Sequence, residues 1–529
     1  MLRRSWATGL TVVAMLAALV LSQATAEVAL HPLFTDHTVL QQGIKVPVWG
    51  TADPGEKVSV TLVEDAMSVG VKRRASSEAD ADGNWRVKLK RLKAGGPYTM
   101  IVTGADNVVT VHDVLIGEVW IGSGQSNMQW TVSNSNNAEE EIADAKFPNM
   151  RLFYVPREVA DAPQKTVEAV WQTCTPETVP GFSAVLYFFG RRLHTELDVP
   201  VGLIHTSWGG TPAESWTSME KLETLPDCAP LLARWEKILA DYPQAAAAYQ
   251  KKIEEWKQAA EKAKAEGKNP GRPPRGPHGP DSAHRPANLY NAMIAPLVPY
   301  GIRGAVWYQG ESNAGRAYQY RSLFPAMIEN WRESWDQPGK WRHFPFYFVQ
   351  LANFRERKPE PAPSDWAELR EAQSMTLSLK NTGQAVTIDI GDAKDIHPRN
   401  KQDVGKRLAL NALHQVYGQD VAYSGPMCEG MKIRGDKVTL RFDHADGGLV
   451  AKGGTLKGFA IAGTDKTFVW ADAMIEGNTV IVSSDRVAEP VAVRYAWADN
   501  PECNLYNGAG LPASPFRTDD WPGITIDNK

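Results

Sequence analysis

The sequence predicts an α/β protein whose parallel sheet is flanked along the chain by two β-rich regions. Between residues 113 and 420, apolar runs of strand length alternate with helical stretches, which is typical of a parallel sheet covered on both faces. Residues 27–112 and 421–529 instead show the two-residue alternation and closely spaced turns of short antiparallel strands. The chain has 529 residues, of which 43% are hydrophobic and 22% charged, so it is long enough for about two to four ordinary globular domains.

Residues 1–26 have the composition of a secretory signal peptide. Arg3 and Arg4 precede an apolar run over 9–21, and Ala24 to Ala26 form a small-x-small cleavage site. The run is shorter than the roughly 20 residues of a membrane span, although an uncleaved anchor is the alternative. We therefore expect an exported protein, periplasmic or secreted, with no membrane anchor after cleavage. Its formal net charge of −4, or −6 without residues 1–26, argues against nucleic-acid binding.

Residues 27–112 are predicted to form an N-terminal β domain resembling a small sandwich. Apolar and polar residues alternate over 58–62 and again over 85–89. Asp-Pro-Gly at 53–55 and Asp-Gly-Asn at 82–84 supply turns between such runs.

Residues 113–420 are predicted to form the α/β domain. Its predicted strands are 114–121, 150–155, 201–206, 302–308, 346–351 and 385–390. Its predicted helices lie near 181–197, 286–298, 317–335, 364–380 and 400–417. In a parallel sheet, reactive groups lie just beyond the carboxyl ends of the strands, so these positions are the places to seek a site.

An insertion at 219–285 interrupts this alternation. Residues 219–266 are rich in Ala, Glu, Lys and Gln and predict helices, and a Gly/Pro-rich return follows. The insertion is either a solvent-exposed addition or a wall of the substrate cleft, and we favour the former for residues 219–275. Residues 421–529 are predicted to be a C-terminal β domain. Cys428 and Cys503 in this region are a natural disulfide pair, although the four cysteines of the chain allow three pairings.

Polar clusters follow four of the predicted strands. They are GSGQSNM at 122–128, SWGGTPAE at 207–214, QGESN at 309–313 and GDAKDIHP at 391–398. Ser126 is placed as a nucleophile, and His397 is the usual type of base for a serine hydroxyl. Backbone amides near Gly209 and an amide side chain of the third cluster are suited to stabilise an oxyanion. A metal site at the acidic residues and His397 is the competing interpretation, but no recognised ligand spacing supports it.

In this order the four clusters resemble those of the SGNH hydrolase superfamily, and within it the sialate O-acetylesterase-like carbohydrate esterases. The matching text is GEVWIGSGQSNMQW at 117–130, SWGGTPAESW at 207–216, PANLYNAMIAPL at 286–297, WYQGESN at 307–313 and DIHPRNKQDVGKRLAL at 395–410. The resemblance implies a flavodoxin-like three-layer core. It also implies an acetylesterase that uses no metal or cofactor.

The resemblance assigns roles to individual residues. Ser126 is the nucleophile, His397 the base and Asp395 the acid, with Gln125, Glu311 and Asn313 as possible supports. The oxyanion donors are the amide of Ser126, an amide at Gly209 or Gly210, and the side chain of Gln309, which we prefer over Asn313. Many members of the superfamily space the acid and His three residues apart, whereas Asp395 and His397 are two apart. Asp392 or Glu311 therefore stays an alternative for the acid.

The expected partner is an O-acetylated carbohydrate, namely acetylated xylan, acetylated xyloglucan or O-acetylated sialic acid. No cluster of arginines near the four motifs marks a site for a sialate carboxylate, although Arg303, Arg316 and Arg399 lie near them in the sequence. The alternatives are a non-catalytic carbohydrate-binding protein and a lipase or peptidase of the same fold. The sequence leaves the oligomeric state open.

Overall fold

A computed structural model describes residues 27–64 and 70–529. The predicted signal peptide at 1–26 lies outside these residues. The described part is a mixed α/β structure with one large mixed sheet and a separate β-rich C-terminal region. Within it, no helix is both long enough and apolar enough to cross a membrane.

The N-terminal region joins the main sheet through one long strand. Its strands are β1 (Ala29–Leu30), β2 (Val39–Gln41), β3 (Val46–Thr51), β4 (Lys57–Glu64), β5 (Val71–Glu78), β6 (Asn84–Leu89), β7 (Gly95–Thr103) and β8 (Val108–Gly124). The first part of β8 pairs with β7, and its last part pairs with β11 and β12 of the core. The domain boundary predicted at 112/113 thus falls inside β8, so the two regions share a continuous backbone ladder.

The core sheet is parallel except at one edge. Its further strands are β9 (Phe147–Tyr154), β10 (Trp171–Cys174), β11 (Val201–Ser207), β12 (Gly304–Tyr308), β13 (Phe346–Val349) and β14 (Thr382–Ala385). The order is β10-β9-β11-β8-β12-β13-β14, with only β10 antiparallel to its neighbour. The chain leaves β8 toward β9 on one side and reaches β12 on the other. The carboxyl end of β8 is therefore the switch point, where α/β sheets place their ligands.

Helices cover both faces of this sheet. The α-helices of the described residues are α1 (Ser126–Gln129), α2 (Ala138–Ala143), α3 (Ala184–Leu197), α4 (Met219–Glu223), α5 (Ala229–Ala265), α6 (Ala317–Trp335), α7 (Asp365–Met375) and α8 (Lys401–Gln415), of which α5 belongs to the insertion. Successive residues of β13 face opposite layers: Phe346 and Phe348 contact Phe324 of α6, whereas Tyr347 stacks on Trp120 of β8, which contacts Phe189 of α3. Fully buried aromatic side chains on both faces form one continuous core with the N-terminal strands.

Local side-chain caps explain where several of these helices begin. Ser183, Ser364 and Asn400 each accept a hydrogen bond from a backbone amide of the first turn of α3, α7 and α8. Asn400 follows His397 by three residues, so the capped start of α8 also fixes the end of the loop that carries this histidine.

Two predicted elements of the core differ in the structure. The strand predicted at 385–390 ends at Ala385, because Val386 and Ile388 leave the sheet and pack in the hydrophobic cluster of the C-terminal region. The helix predicted at 286–298 forms a π-helical turn at Tyr290–Ile294 and a 3-10 turn at Ala295–Leu297. Pro296 explains the second change, since its ring disfavours a continuous α-helix before it.

The insertion consists mainly of α4 and the long helix α5. Of the residues of α5, only Leu231, Trp235 and Ala260 are buried. The Gly/Pro-rich return lies along this helix, where Gly276 and Gly279 approach the rings of Tyr249 and Tyr242. This exposed arrangement agrees with the composition of the insertion.

The C-terminal region has its own hydrophobic core. Its strands are β15 (Met427–Arg434), β16 (Lys437–Asp443), β17 (Leu449–Ala451), β18 (Phe459–Ala462), β19 (Val469–Trp470), β20 (Asp472–Glu476), β21 (Thr479–Ser483), β22 (Ala492–Tyr495), β23 (Leu505–Asn507) and β24 (Phe516–Arg517). Two four-stranded sheets have the orders β15-β16-β21-β20 and β19-β18-β22-β24. The predicted Cys428–Cys503 disulfide is wrong, because both thiols are free and pack at the edge of this core.

Candidate active site

Three central strands end side by side at one edge of the core sheet. Gly124 at the end of β8 pairs with Ser207 of β11 and with Tyr308 of β12. A Cβ atom at Gly124 would lie 2.2 Å from the carbonyl oxygen of Tyr308, and the φ of this residue is +134°. Only glycine fits here, and the close approach brings the turn that carries Ser126 against the third polar cluster.

Ser126 and His397 meet above this edge. The Ser126 Oγ lies 2.9 Å from the His397 Nε2, although the two residues are 271 positions apart in the chain. The imidazole of His397 stacks on the indole of Trp130, with ring centroids 5.2 Å apart and an interplanar angle of 14°. The stacked indole limits rotation of the imidazole and so holds Nε2 toward the serine.

The protonation of His397 is set by its surroundings. Burial lowers the pKa of His397 below its usual value of 6.5; the charge of Asp395 opposes this shift and that of Lys401 adds to it. The imidazole is therefore neutral near pH 7, which is the form that accepts a proton from a serine hydroxyl.

Among the three acids considered for the site, Asp395 is the one beside His397. Its Oδ1 lies 3.3 Å from the His397 Nδ1 and accepts a hydrogen bond of 2.9 Å from the His397 backbone amide. Asp392 accepts instead from the Lys394 amide within the loop. Glu311 accepts from Asn127. The Asp395 carboxylate is half exposed to solvent, so water screens its interaction with the imidazole.

Gly209 lies directly beside the serine, and Gly210 does not. A Cβ atom at Gly209 would be 3.3 Å from the Ser126 Cβ, so a larger residue would crowd the nucleophile. The Gly209 amide donates a 2.7 Å hydrogen bond to the side-chain oxygen of Gln129. Gly210 is exposed and turns away with a φ of +79°. Of the two glycines, Gly209 is therefore the one shown to lie against Ser126.

The prediction that Gln309 donates to an oxyanion is not supported. Gln309 is fully buried, and its side-chain nitrogen donates to Asn313 at 2.6 Å and to the Thr211 carbonyl at 3.3 Å. Asn313 is also buried, where it accepts from the Ala213 amide and donates to Glu214. The side-chain amides of Gln309 and Asn313 thus form hydrogen bonds within the protein. These bonds connect the second polar cluster with the third beneath the site.

Gln125, the third predicted support, joins the nucleophile turn to the third cluster. Its side-chain oxygen accepts a 3.3 Å hydrogen bond from the Ser312 amide, and its backbone amide donates to the Tyr308 carbonyl at 2.9 Å. Gln125 is buried, so it supports the turn from inside.

A buried cluster beneath Ser126 was not predicted from the sequence. The Asn127 side chain donates to Glu311 at 2.6 Å and to the Ile396 carbonyl at 3.0 Å, and it accepts from the Lys401 ammonium at 2.6 Å. One amide next to the nucleophile thus holds the loop that carries His397. Asn127 and Lys401 both lie inside the matching motifs, and a Lys four residues beyond the predicted loop histidine was the available signal.

Burial changes the proton affinities of both charged members of this cluster. It lowers the pKa of Lys401 to about 7, against the charges of Glu311 and Asp395, which raise it. Burial also raises the pKa of Glu311, against the hydrogen bonds and the Lys401 charge that lower it. Such shifts are frequent at functional sites, where buried groups meet a specific charge partner.

Two of the three arginines noted in the sequence are used in ion pairs. Arg303 binds Glu118 at 2.5 Å, and Arg316 binds Glu214 at 2.5 Å. Arg399 is exposed.

Across residues 27–64 and 70–529, no group of three or more His, Cys, Asp or Glu side chains is arranged to hold a metal ion. The site itself consists of a serine hydroxyl, an imidazole and a carboxylate, each next to the following one in space. This arrangement is suited to acyl transfer.

Comparison with known proteins agrees with this chemistry. Residues 279–414 match the family model described as "Carbohydrate esterase, sialic acid-specific acetylesterase". Sialate O-acetylesterase of Homo sapiens is 32% identical over 522 residues, covering 90% of each chain. That of Mus musculus is 33% identical, covering 89% of this chain and 90% of the relative. The crystal structure of a carbohydrate acetylesterase from Xanthomonas citri is 38% identical with a TM-score of 0.77, covering 93% of this chain and all of that one.

Proposed function

The chain belongs to the sialate O-acetylesterase family and is a serine carbohydrate esterase, and from this premise we propose that it releases acetate from O-acetylated glycans through Ser126, His397 and Asp395. The observation that carries the assignment is the 2.9 Å distance between Ser126 Oγ and His397 Nε2. The same premise favours an SGNH hydrolase fold for the catalytic region, with Ser126 at the switch point of its sheet.

The proposed reaction proceeds through an acyl-enzyme. His397 Nε2 takes the proton of Ser126 while Oγ attacks the acetyl carbonyl carbon. The tetrahedral intermediate collapses, and His397 gives the proton to the departing sugar oxygen. His397 then takes a proton from a water molecule, which attacks the acetyl-serine. The bond between the acyl carbon and Ser126 Oγ breaks, acetate leaves, and His397 returns the proton to Oγ. Asp395 favours the imidazole tautomer in which Nδ1 carries the proton, so that Nε2 is free to accept the proton of Ser126.

The oxyanion is proposed to bind backbone amides alone. The Ser126 amide lies in the first turn of α1, where N–H groups have no partner inside the helix. The Gly209 amide is the second donor, and it becomes available when the Gln129 side chain turns away. Two such donors, aimed at the developing charge, contribute a large part of catalysis in acyl transfer.

The substrate is proposed to be an O-acetylated carbohydrate outside the cytoplasm. Export rests on the sequence of residues 1–26, with its basic start, apolar run and small-residue cleavage site. The ion pairs of Arg303 and Arg316 leave those side chains unsuited to clamp a substrate carboxylate. Arg399 is exposed and follows His397 by two residues, so acetylated xylan, acetylated xyloglucan and O-acetylated sialic acid all stay candidate substrates.

Acetate release from acetylated xylan, acetylated xyloglucan and O-acetylated sialic acid tests this proposal. We expect Ser126→Ala to lower the release rate by a factor on the order of 10,000 or more, because the covalent route is lost. Ser133→Ala is the matched control, since Ser133 is an exposed serine in the next turn whose hydroxyl contacts Thr131.

The outcomes separate the alternatives. Full activity of Ser126→Ala, with folding intact by circular dichroism, would end the proposed mechanism. Faster turnover of long-chain esters than of acetyl esters would indicate a lipase. Glycan binding without hydrolysis of p-nitrophenyl acetate would indicate a carbohydrate-binding protein.

A further inference from the structure

Two clefts lie between the C-terminal β region and the loop at 350–364. One has a volume of about 430 Å³ and the other of about 370 Å³, and Trp470 lines both. Volumes of roughly 300 to 1,000 Å³ are usual for ligand sites. Phe468, Trp497 and Trp521 line the larger cleft, and Pro361 and Pro363 border both. The two clefts therefore form one aromatic groove, with Trp470 at its centre.

This groove adjoins the catalytic edge of the sheet. The loop at 350–364 follows β13, so it leaves the sheet at the same edge as the nucleophile turn. Asn353 of this loop accepts from the Gly391 amide at 2.7 Å, and Gly391 begins the loop that carries His397. Asn353 also donates to Asn500 at 2.9 Å, and Asn500 lines the groove. Two hydrogen bonds thus connect the groove with the histidine loop.

The aromatic side chains of the groove are held rigidly. The Trp470 indole N–H donates to the Pro359 carbonyl at 2.7 Å, yet the residue keeps 40% of its surface exposed. The Arg494 guanidinium lies 4.1 Å from the centre of the Phe468 ring and 5.1 Å from that of Trp497. A fixed, exposed indole loses little conformational entropy when a flat apolar surface stacks on it.

Several charged groups of the groove walls have partners within the protein. Arg494 binds Asp519 at 2.8 Å, and Arg517 binds Glu371 at 2.6 Å. Glu368 accepts hydrogen bonds from the amides of Ile524 and Thr525. The other charged residues of the walls include Lys358, Glu360 and Lys466, and the Lys466 ammonium lies 5.4 Å from the centre of the Trp521 ring. The walls thus combine ring faces with charges of both signs, so they do not select one sign of charge and suit an uncharged ligand with apolar faces and hydroxyl groups.

We propose that this groove binds an uncharged stretch of the glycan chain, several sugars away from the acetyl group that is removed. The inference rests on the proposed function, because it takes a carbohydrate as the ligand. Sugar rings stack their C–H faces on Trp470 and direct hydroxyls to the polar rim. The C-terminal region then holds a polymeric substrate on the enzyme. Small esters reach Ser126 without binding to the groove.

Affinity electrophoresis in gels that contain deacetylated xyloglucan or deacetylated xylan tests this proposal without acetate release. The protein carries Ser126→Ala, with and without Trp470→Ala. We expect retardation of the Ser126→Ala protein by at least one of these glycans, and a roughly tenfold weaker affinity after loss of the indole. Trp521→Ala, a second variant in the same groove, is expected to weaken binding in the same way. Met474→Ala is the matched control, since Met474 is an exposed apolar residue of the C-terminal region that does not line the groove.

Kinetics with an active Ser126 give an independent readout. We expect Trp470→Ala to raise KM for the acetylated polymer roughly tenfold and to leave kcat/KM for p-nitrophenyl acetate unchanged. Equal retardation with and without Trp470 would overturn the proposal, as would no retardation by either glycan. Stronger retardation by a sialylated glycan would overturn the assignment of an uncharged ligand. Retardation that depends on Trp470, together with no acetate release by the active enzyme, would support the groove and reject the proposed function.

Discussion

Two buried clusters of similar composition support the loops around Ser126, but they are connected differently. The Asn127 cluster consists of Asn127, Glu311 and Lys401, and the amide lies between the carboxylate and the ammonium group. In the Asn313 cluster, of Asn313, Glu214 and Arg316, the guanidinium binds the carboxylate directly at 2.5 Å. Loss of Asn127 would therefore remove the group that connects Glu311 with Lys401. Loss of Asn313 would leave the ion pair between Glu214 and Arg316 intact.

The two clusters also hold different parts of the site. Asn127 reaches the Ile396 carbonyl, next to His397, at 3.0 Å. Asn313 accepts from the Ala213 amide at 2.9 Å, near the end of the second polar cluster. The difference indicates that the Asn127 cluster positions a reacting group, whereas the Asn313 cluster keeps two loops packed together.

Apart from Ser126→Ala, the largest effect is expected from Asn127→Ala. The substitution removes the hydrogen bond that holds the Ile396 carbonyl, so the imidazole of His397 loses its fixed distance to Ser126 Oγ. Small displacements of this kind cost about 100-fold in rate. We expect kcat to fall by about 100-fold with KM nearly unchanged, measured by steady-state hydrolysis of p-nitrophenyl acetate.

Asn313→Ala is the matched control for that prediction. It also removes a buried amide bound to a glutamate, and each substitution is expected to cost about 1–3 kcal/mol of unfolding free energy. For Asn313→Ala, kcat should stay within about threefold of the parent, because His397 is not displaced. Equal losses of kcat in the two variants, at equal thermal stability, would show that the clusters do not differ in role.

The sequence predicted those parts of the molecule that depend on periodicity and local chemistry. The buried runs at 201–206 and 302–308 coincide with β11 and β12 almost residue for residue. The motifs of Ser126 and His397 were found because serine and histidine are typical catalytic residues and both motifs follow predicted strands. The roles of Gln309 and Asn127 were not predictable in this way. Tertiary packing decides whether an amide side chain of a motif points into the site or beneath it, and the sequence pattern does not contain that information.

Asp395→Asn is expected to have the next largest effect. The Asp395 carboxylate faces Nδ1 from 3.3 Å and is half exposed, whereas Asn127 acts from a buried position. Because water screens the carboxylate, we expect kcat/KM to fall by about 30-fold, less than for Asn127→Ala. Initial rates near pH 8, where His397 is neutral in every variant, measure this loss free of His397 titration. A loss above that of Asn127→Ala would reverse the order of importance.

The pH dependence of kcat/KM separates the charge of Asp395 from its hydrogen bond. Activity is lost as the pH falls through the pKa of His397, because the protonated imidazole accepts no proton. Asp395 raises this pKa and Lys401 lowers it. The acidic limb should therefore move to lower pH in Asp395→Asn and to higher pH in Lys401→Met. Shifts in the same direction, or none, would show that these charges do not control His397.

The smallest effect is expected at Gln129. Both buried clusters are complete before substrate binds, whereas the Gly209 amide is occupied by the Gln129 oxygen at 2.7 Å. If that amide receives the oxyanion, the bond must first break, and a typical hydrogen bond contributes about 0.5–1.5 kcal/mol. Gln129→Ala should then raise kcat about threefold, whereas Gln129→Glu should lower it, since a carboxylate binds the amide more strongly and repels the oxyanion. An unchanged or lower kcat in Gln129→Ala would remove Gly209 from the oxyanion site and leave the Ser126 amide as its remaining proposed donor.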